Sequence, residues 1–283
     1  MGFGLFCGCR YPEWTFGTGR SLGDSSSFDG LQRTNPTNGR ANLPAPKREH
    51  MTPLRLFFIR HGESAGNIDK RKHLELADHA IPLTEMGRQQ AYASGEWLGQ
   101  YFLDHNTDDT KTRFWVSPYA RTRQTADELI RGIEAVTAKS DESHRHKLDF
   151  DRREHINLVE QQFGLFDGIP EEDLPDVFPH EAAHYNKQVE FEGKFWARMP
   201  LGESRFDVAI RVHQAFGTFH RDYDKKGINQ LVIVSHGVTI RAFQMQWLHR
   251  SYEWFEREKN PENASIHMIH GQTDMGRVFV PPQ

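Results

Sequence analysis

The chain has 283 residues, 37% hydrophobic and 26% charged, with a formal net charge of −4. That length supports one sizeable core, and the mild acidity offers no basic surface for a nucleic-acid partner. No apolar run reaches the roughly 18 residues of a membrane span, and the two cysteines, Cys7 and Cys9, both lie near the N-terminus, where they cannot staple a fold. These features read as a protein of a reducing, cytoplasmic setting.

Residues 1–50 are rich in Gly, Ser, Pro, Asn and Arg without sustained periodicity. Such a composition buries too little apolar surface to offset ordering entropy, so this stretch is expected to be a disordered tail. The chain opens Met-Gly, but Phe6 stands where the myristoylation pattern wants Ser or Thr. The expected domain is 51–283, with Met51 as its practical start.

From Leu54 onward, strand and helix patterns alternate, which favours an α/β layer fold. Leu54–Arg60 is a short apolar run closed by Gly62 and reads as a buried parallel strand. A loop follows to about Pro82. Thr84 is positioned to cap a helix through Tyr101, with Glu85 in its first turn. Phe114–Ser117 is a second strand and Arg121 to about Val136 a second helix; Leu148–Phe150 is a short strand. Residues 155–200 hold four prolines and read as an irregular, partly helical excursion suited to capping a substrate. Phe206 to Tyr223 is a helix, with Phe206, Ala209, Ile210, Val212, Ala215, Phe216 and Phe219 at helical spacing. Leu231–His236 is the most hydrophobic strand and so belongs at the centre of the sheet. Another helix starts near Val238, and Ser265–Ile269 with Arg277–Val280 form a closing edge hairpin. The pattern amounts to a three-layer α/β/α sandwich on a mostly parallel sheet.

Two of these strands end in histidine followed by glycine, as Arg60-His61-Gly62 and Ser235-His236-Gly237. Ligands of open α/β sheets bind at the carboxyl ends of strands, and neighbouring strand ends lie about 5 Å apart. His61 and His236 are therefore candidates for one pocket. The strand ending at Ser117 places Arg121 in the first turn of the next helix. Two guanidinium groups, Arg60 and Arg121, grip a doubly charged phosphate with forked bonds, and backbone N–H groups at the helix start add positive potential. Flanking guanidinium groups also keep an imidazole unprotonated, as a nucleophile requires. A departing alkoxide then needs a proton from a nearby acid. Glu154 and Glu160 are the candidates.

The ordered set of motifs resembles the histidine phosphatase superfamily, which includes cofactor-dependent phosphoglycerate mutases. The RHG triplet at 60–62 is joined by Asn67, by Leu83-Thr84 with Gly87, Gln90 and Ala91, and by Pro118-Tyr119-Ala120-Arg121-Thr122-Arg123-Gln124-Thr125-Ala126. Glu160-Gln161-Gln162-Phe163-Gly164 with Gly168, Gly202-Glu203-Ser204 before Arg211-Val212, Gln246-Trp247-Leu248 and Asn260-Pro261 extend it. The resemblance covers about residues 54–270. It implies a phosphoglycerate mutase-like fold, His61 as nucleophile, and Glu160 rather than Glu154 as proton donor, because the family's acid stands four residues before a glycine. It further implies a phosphate held by Arg60, Asn67, Arg121, His236 and Gly237, with neither metal nor cofactor. The expected partner is a small phosphorylated metabolite.

Val159 replaces a common family arginine, and residues 65–70 lack the tryptophan that true mutases carry after the corresponding segment. These departures favour a histidine-type phosphatase over a phosphoglycerate mutase. A catalytically silent phospho-ligand binder is the third reading. His180-Glu181-Ala182-Ala183-His184 matches H-E-x-x-H, but Pro179 precedes it and no third ligand stands at a standard zinc spacing. His144-Arg145-His146 reads as surface loop, and Asn263-Ala264-Ser265 as a sequon without consequence in the cytosol. Arg55, Lys70, Arg71 and Lys72 read as solvated charges. The Lys187–Arg198 segment is either a solvated helix face or a reader of a second anionic group on the substrate.

Overall fold

The computed structural model describes residues 53–140 and 150–283. The expected tail, both cysteines, Leu148 and the His144–His146 segment lie outside the described residues. In chain order the elements are β1 (Arg55–Arg60), α1 (Ala65–Ile68), α2 (Lys72–Glu75), α3 (Glu85–His105), β2 (Thr112–Val116), α4 (Ala120–Thr137) and β3 (Phe150–Glu154). They continue with α5 (Leu174–Val177), α6 (Pro179–Glu192), α7 (Arg205–Lys226), β4 (Gln230–Ser235), α8 (Gly237–Trp247), α9 (Tyr252–Arg257), β5 (Ile266–His270) and β6 (Thr273–Phe279). Among the described residues no helix is long and apolar enough to cross a membrane.

The strands form one six-stranded sheet in the order β3-β2-β4-β1-β5-β6. β3, β2, β4 and β1 run parallel, while β5 and β6 close the sheet as an antiparallel hairpin. The strand period of two sorts side chains between two cores. Phe57, Ile59, Phe114, Val116, Val232 and Val234 pack against Leu98 and Phe102 of α3 and Leu129 and Ile133 of α4. On the opposite face Leu56, Phe58, Trp115, Leu231 and Ile233 meet Val212, Phe216 and Phe219 of α7 and Phe243 of α8. A continuously apolar strand such as β4 is stable only with both faces covered, and all six of its residues are buried. The three-layer α/β/α reading therefore holds.

Three local expectations need correction. The third strand runs over Phe150–Glu154 rather than ending at Phe150. Its Asp-Arg-Arg-Glu sequence conceals a strand because an edge strand can place its charges in ion pairs: Arg113 holds Asp151 and Arg123 holds Glu154. The stretch before Pro82 is not plain loop, since it contains α1, α2 and a 3-10 turn at Asp78–Ala80. Elements of three or four residues are too short for periodicity to reveal. Phe206 and Ile210 belong to α7 but remain 40% and 46% exposed, and Phe206 packs on Trp196 rather than in the core under the sheet.

Two glycines set the approach of α3 and α4. A Cβ on Gly95 would lie 2.2 Å from the Leu129 carbonyl oxygen, and one on Gly132 would lie 2.3 Å from that of Tyr92. An alanine gains about 1 kcal/mol of helix propensity over glycine, whereas overpacking against backbone that cannot rotate away costs about 1–3 kcal/mol. Gly132→Ala should therefore lower the melting temperature, and a rise on thermal denaturation would contradict this packing.

Candidate active site

The site is assembled by strand register. β1 and β4 pair so that Arg60 lies opposite Ser235, and the His61 amide continues the ladder to the Ser235 carbonyl at 3.0 Å. The next residue on each strand is a histidine, and the two rings stand 5.3 Å apart between centroids. β2 flanks β4 on the other side, where the Ser117 amide donates to the Val234 carbonyl at 3.0 Å. Ser117 Oγ lies 2.8 Å from His236 Nε2, and one turn later α4 begins and presents Arg121.

His61 Nδ1 lies 2.7 Å from the Gly62 carbonyl oxygen. A carbonyl only accepts, so Nδ1 carries the proton and Nε2 keeps its lone pair. Burial first, then the charges of Arg121 and Arg60, hold the His61 pKa well below the ordinary imidazole value. His236 is lowered too, by burial first and then by Arg121. Arg60 donates to the Pro261 carbonyl at 2.8 Å. Arg121 donates to the Asp78 carbonyl at 2.6 Å and to Asp78 Oδ1 at 2.8 Å, while its guanidinium lies over the Tyr119 ring. Two buried polar atoms here, Arg60 Nε and His236 Nδ1, lack a hydrogen-bond partner. An unmet buried group costs about 1–3 kcal/mol, so both atoms are open to a partner from outside the protein.

These groups border a cavity of about 400 Å³. Arg60, His61, Asn67, Arg121 and Glu160 line it, with Phe163, Phe166, Asp167 and Ile169 from the 155–200 excursion forming another wall. Asn67 Oδ1 accepts from Ser64 N at 3.0 Å and from Asn263 Nδ2 at 3.1 Å. With its oxygen so engaged, the amide nitrogen of Asn67 is left to donate into the cavity. His236 is wholly buried, and its ring stands beside that of His61. Gly237 packs against Asn260, and a Cβ there would come within 2.6 Å of it.

The two acid candidates separate cleanly. Glu154 sits at the end of β3 in a two-pronged pair with Arg123, both bonds 2.7 Å, and that pairing lowers its pKa. Glu160 faces the cavity. Its carboxylate accepts from Gln161 N at 3.0 Å, Thr239 N at 3.3 Å and Val238 N at 3.4 Å, which seats it on the amino end of α8. Arg211 anchors the backbone beneath by donating to the carbonyls of Asn157, Val159 and Glu160, while its Nε and Nη2 grip the Glu203 carboxylate. The glycines that follow Glu160 have a steric cause. Gly164 has φ +60° with its Cβ position 2.1 Å from the Pro200 carbonyl, and Gly168 has φ +76°. Both lie in the left-handed region that favours glycine.

α4 begins at Ala120, so Arg121 stands in its first turn, and it is the Arg121 guanidinium that lines the cavity. Some expectations do not fit this geometry. Arg55 is buried and donates to Thr110 Oγ1 at 3.3 Å. Lys70 lines the cavity, whereas no residue of the Lys187–Arg198 segment does. His180 and His184 lie one turn apart on α6 beside a separate surface pocket. Among the described residues no group of three His, Cys, Asp or Glu side chains is arranged to hold a metal ion. Ser117, His73, Asp78, Asp167 and Asn263 were not legible as site residues. Asn263, read as part of a sequon, donates to the His61 carbonyl at 3.0 Å, and only the neighbouring Asn260-Pro261 match hinted at that segment.

The chain belongs to the histidine phosphatase superfamily (branch 1), whose family model matches residues 56–279. It is 34% identical over 228 residues to the phosphoglycerate mutase-like protein AT74 of Arabidopsis thaliana, covering 77% of this chain and 65% of that protein. The broad-range acid phosphatase DET1 of Saccharomyces cerevisiae is 24% identical over 302 residues, covering 80% and 87% respectively. The fold is shared with a mycobacterial glucosyl-3-phosphoglycerate phosphatase solved with VO3, at TM-score 0.55 and 23% identity over 80% of this chain and 98% of that one. The alpha-ribazole phosphatase from Shigella flexneri gives TM-score 0.55 and 18% identity over 81% and 96%. Phosphatases and mutase-like proteins are thus both among the relatives.

Burial of the two imidazoles sets a pH dependence of stability. In the unfolded chain they protonate near pH 6.5, about the model-peptide value, whereas in the folded protein both are lowered well below it. Below about pH 6.5 the unfolded state therefore binds more protons, and stability falls as pH falls through that window. The melting temperature should drop between about pH 7 and 5, and His236→Asn should flatten that slope. An equal slope in the variant would contradict the assigned burial.

Proposed function

We propose that the protein is a phosphomonoester hydrolase working through a phosphohistidine on His61. The observation that carries this reading is a buried imidazole with its Nδ1 2.7 Å from the Gly62 carbonyl and its pKa lowered by burial and by the charges of Arg121 and Arg60. Nε2 attacks phosphorus, the bond to the leaving oxygen breaks, and Glu160 supplies the proton that oxygen needs. An arriving phosphate dianion adds negative charge and favours proton uptake by the site as a whole. Water then attacks phosphorus, giving its proton to Glu160 as the P–N bond breaks and His61 is restored. Arg60, Arg121, Asn67 and His236 hold the charge that spreads over the transferring oxygens, an electrostatic role needing no rearrangement at the moment of reaction. Residues 155–200 serve as the cap. The phosphoglycerate mutase-like relatives keep phosphoryl transfer between hydroxyls as a second reading, decided by whether 3-phosphoglycerate with a bisphosphate primer yields 2-phosphoglycerate or free phosphate.

Rapid mixing with a labelled phosphoester followed by quenching should trap acid-labile, alkali-stable phosphate on His61. His61→Ala should abolish both label and turnover; undiminished turnover in that variant refutes the mechanism.

Glu160→Gln tests the proton donor by leaving-group dependence. Turnover of alkyl phosphates should fall about 10²–10⁴-fold, the usual range for a lost general acid. Hydrolysis of p-nitrophenyl phosphate, whose leaving group departs without a proton, should fall far less. Equal losses on both substrates would remove Glu160 from this role.

A further inference from the structure

Outside the place assigned to the phosphate, the charge of the cavity is set by side chains that the proposed chemistry leaves unused. Asp78, in the 3-10 turn after α2, and Asp167, in the 155–200 excursion, line it together with Lys70 and His73. His73 Nδ1 stands 3.0 Å from Asp167 Oδ1 and 3.4 Å from Asp78 Oδ1. The imidazole is pinned there: a Cβ on Gly66 would lie 2.5 Å from its Nε2, and one on Gly168 would lie 2.9 Å from its Cβ. One imidazole therefore faces two carboxylates, and even when protonated it balances one of them. Asp78 has a second partner in Arg121. Asp167 is held against His73 with its carboxylate 29% exposed. Lys70 is exposed on a flexible stem at the rim, where water screens its charge. The remainder of a bound phosphoester thus meets fixed negative charge.

We infer that Asp167, backed by Asp78, is a specificity-determining charge filter. The site selects phosphomonoesters whose remainder is hydroxylated or cationic and discriminates against those carrying a second anion, such as a carboxylate. This deepens the hydrolase reading and rests on it. Discrimination comes from a repulsive element placed against the wrong ligand as much as from contacts to the right one.

A matched set of substrates tests it on the intact protein. Glycerol 3-phosphate and 3-phosphoglycerate differ by a hydroxymethyl in place of a carboxylate, and phosphoethanolamine carries a cation. Steady-state release of inorganic phosphate should give kcat/KM for glycerol 3-phosphate about tenfold or more above that for 3-phosphoglycerate, with phosphoethanolamine at least equal to glycerol 3-phosphate. Asp167→Asn should narrow the first gap by about threefold or more, through KM rather than kcat. Parity or a preference for 3-phosphoglycerate in the unaltered protein overturns the filter, a result that depends on no variant folding. An unchanged gap in Asp167→Asn overturns the assignment to Asp167. Absence of hydrolysis with all three substrates instead refutes the hydrolase reading itself, and the filter with it.

Discussion

The pairing of β1 with β4 is the constraint on which the rest of the site depends. With Arg60 opposite Ser235 and the His61 amide on the Ser235 carbonyl, the following residues on both strands are histidines. A shift of one residue in that register would send one imidazole to the opposite face of the sheet. Burial of alternate side chains under α3 and α4 on one side and α7 and α8 on the other forbids the slip. The core thus does two things at once: it stabilises the domain and sets the distance between the two rings.

Around this pair the protein excludes water and supplies charge. Burial and two guanidinium groups hold the His61 pKa well below the ordinary imidazole value, and the bond to the Gly62 carbonyl decides which nitrogen is free. The 260–263 segment holds the strand end from outside, through Pro261 on Arg60 and Asn263 on the His61 and Asn67 groups. Arg211 and Glu203 perform the same service for the segment that carries Glu160. These braces order the side chains before any ligand arrives, which is where electrostatic stabilisation is most effective.

Much of this was legible before any coordinates. The strand-end His-Gly pairs, the apolar run of β4 and the position of Arg121 all report on a parallel sheet and its carboxyl edge. The glycines after Glu160 separated it from Glu154, and their left-handed backbone and close contacts give the physical reason. What stayed hidden arises from tertiary approach rather than local pattern. His73, Asp78 and Asp167 become neighbours only when the loop after β1 meets the 155–200 excursion. Ser117 is an ordinary strand-end serine until β2 lies beside β4. The polar part of β3, beyond Phe150, was not legible because Asp151 and Glu154 are matched by Arg113 and Arg123, remote in sequence. In the H-E-x-x-H match, local spacing fits a metal motif, but among the described residues no third ligand completes it.

The most direct test of this account is the protonation state of His61 itself. Nitrogen NMR of selectively labelled protein should show a neutral ring, protonated on Nδ1 and bare on Nε2, at about pH 5.5, a unit below the ordinary imidazole pKa of about 6.5. A positively charged ring at that pH, or a proton resting on Nε2, would contradict the claim that the fold presents His61 as a ready nucleophile.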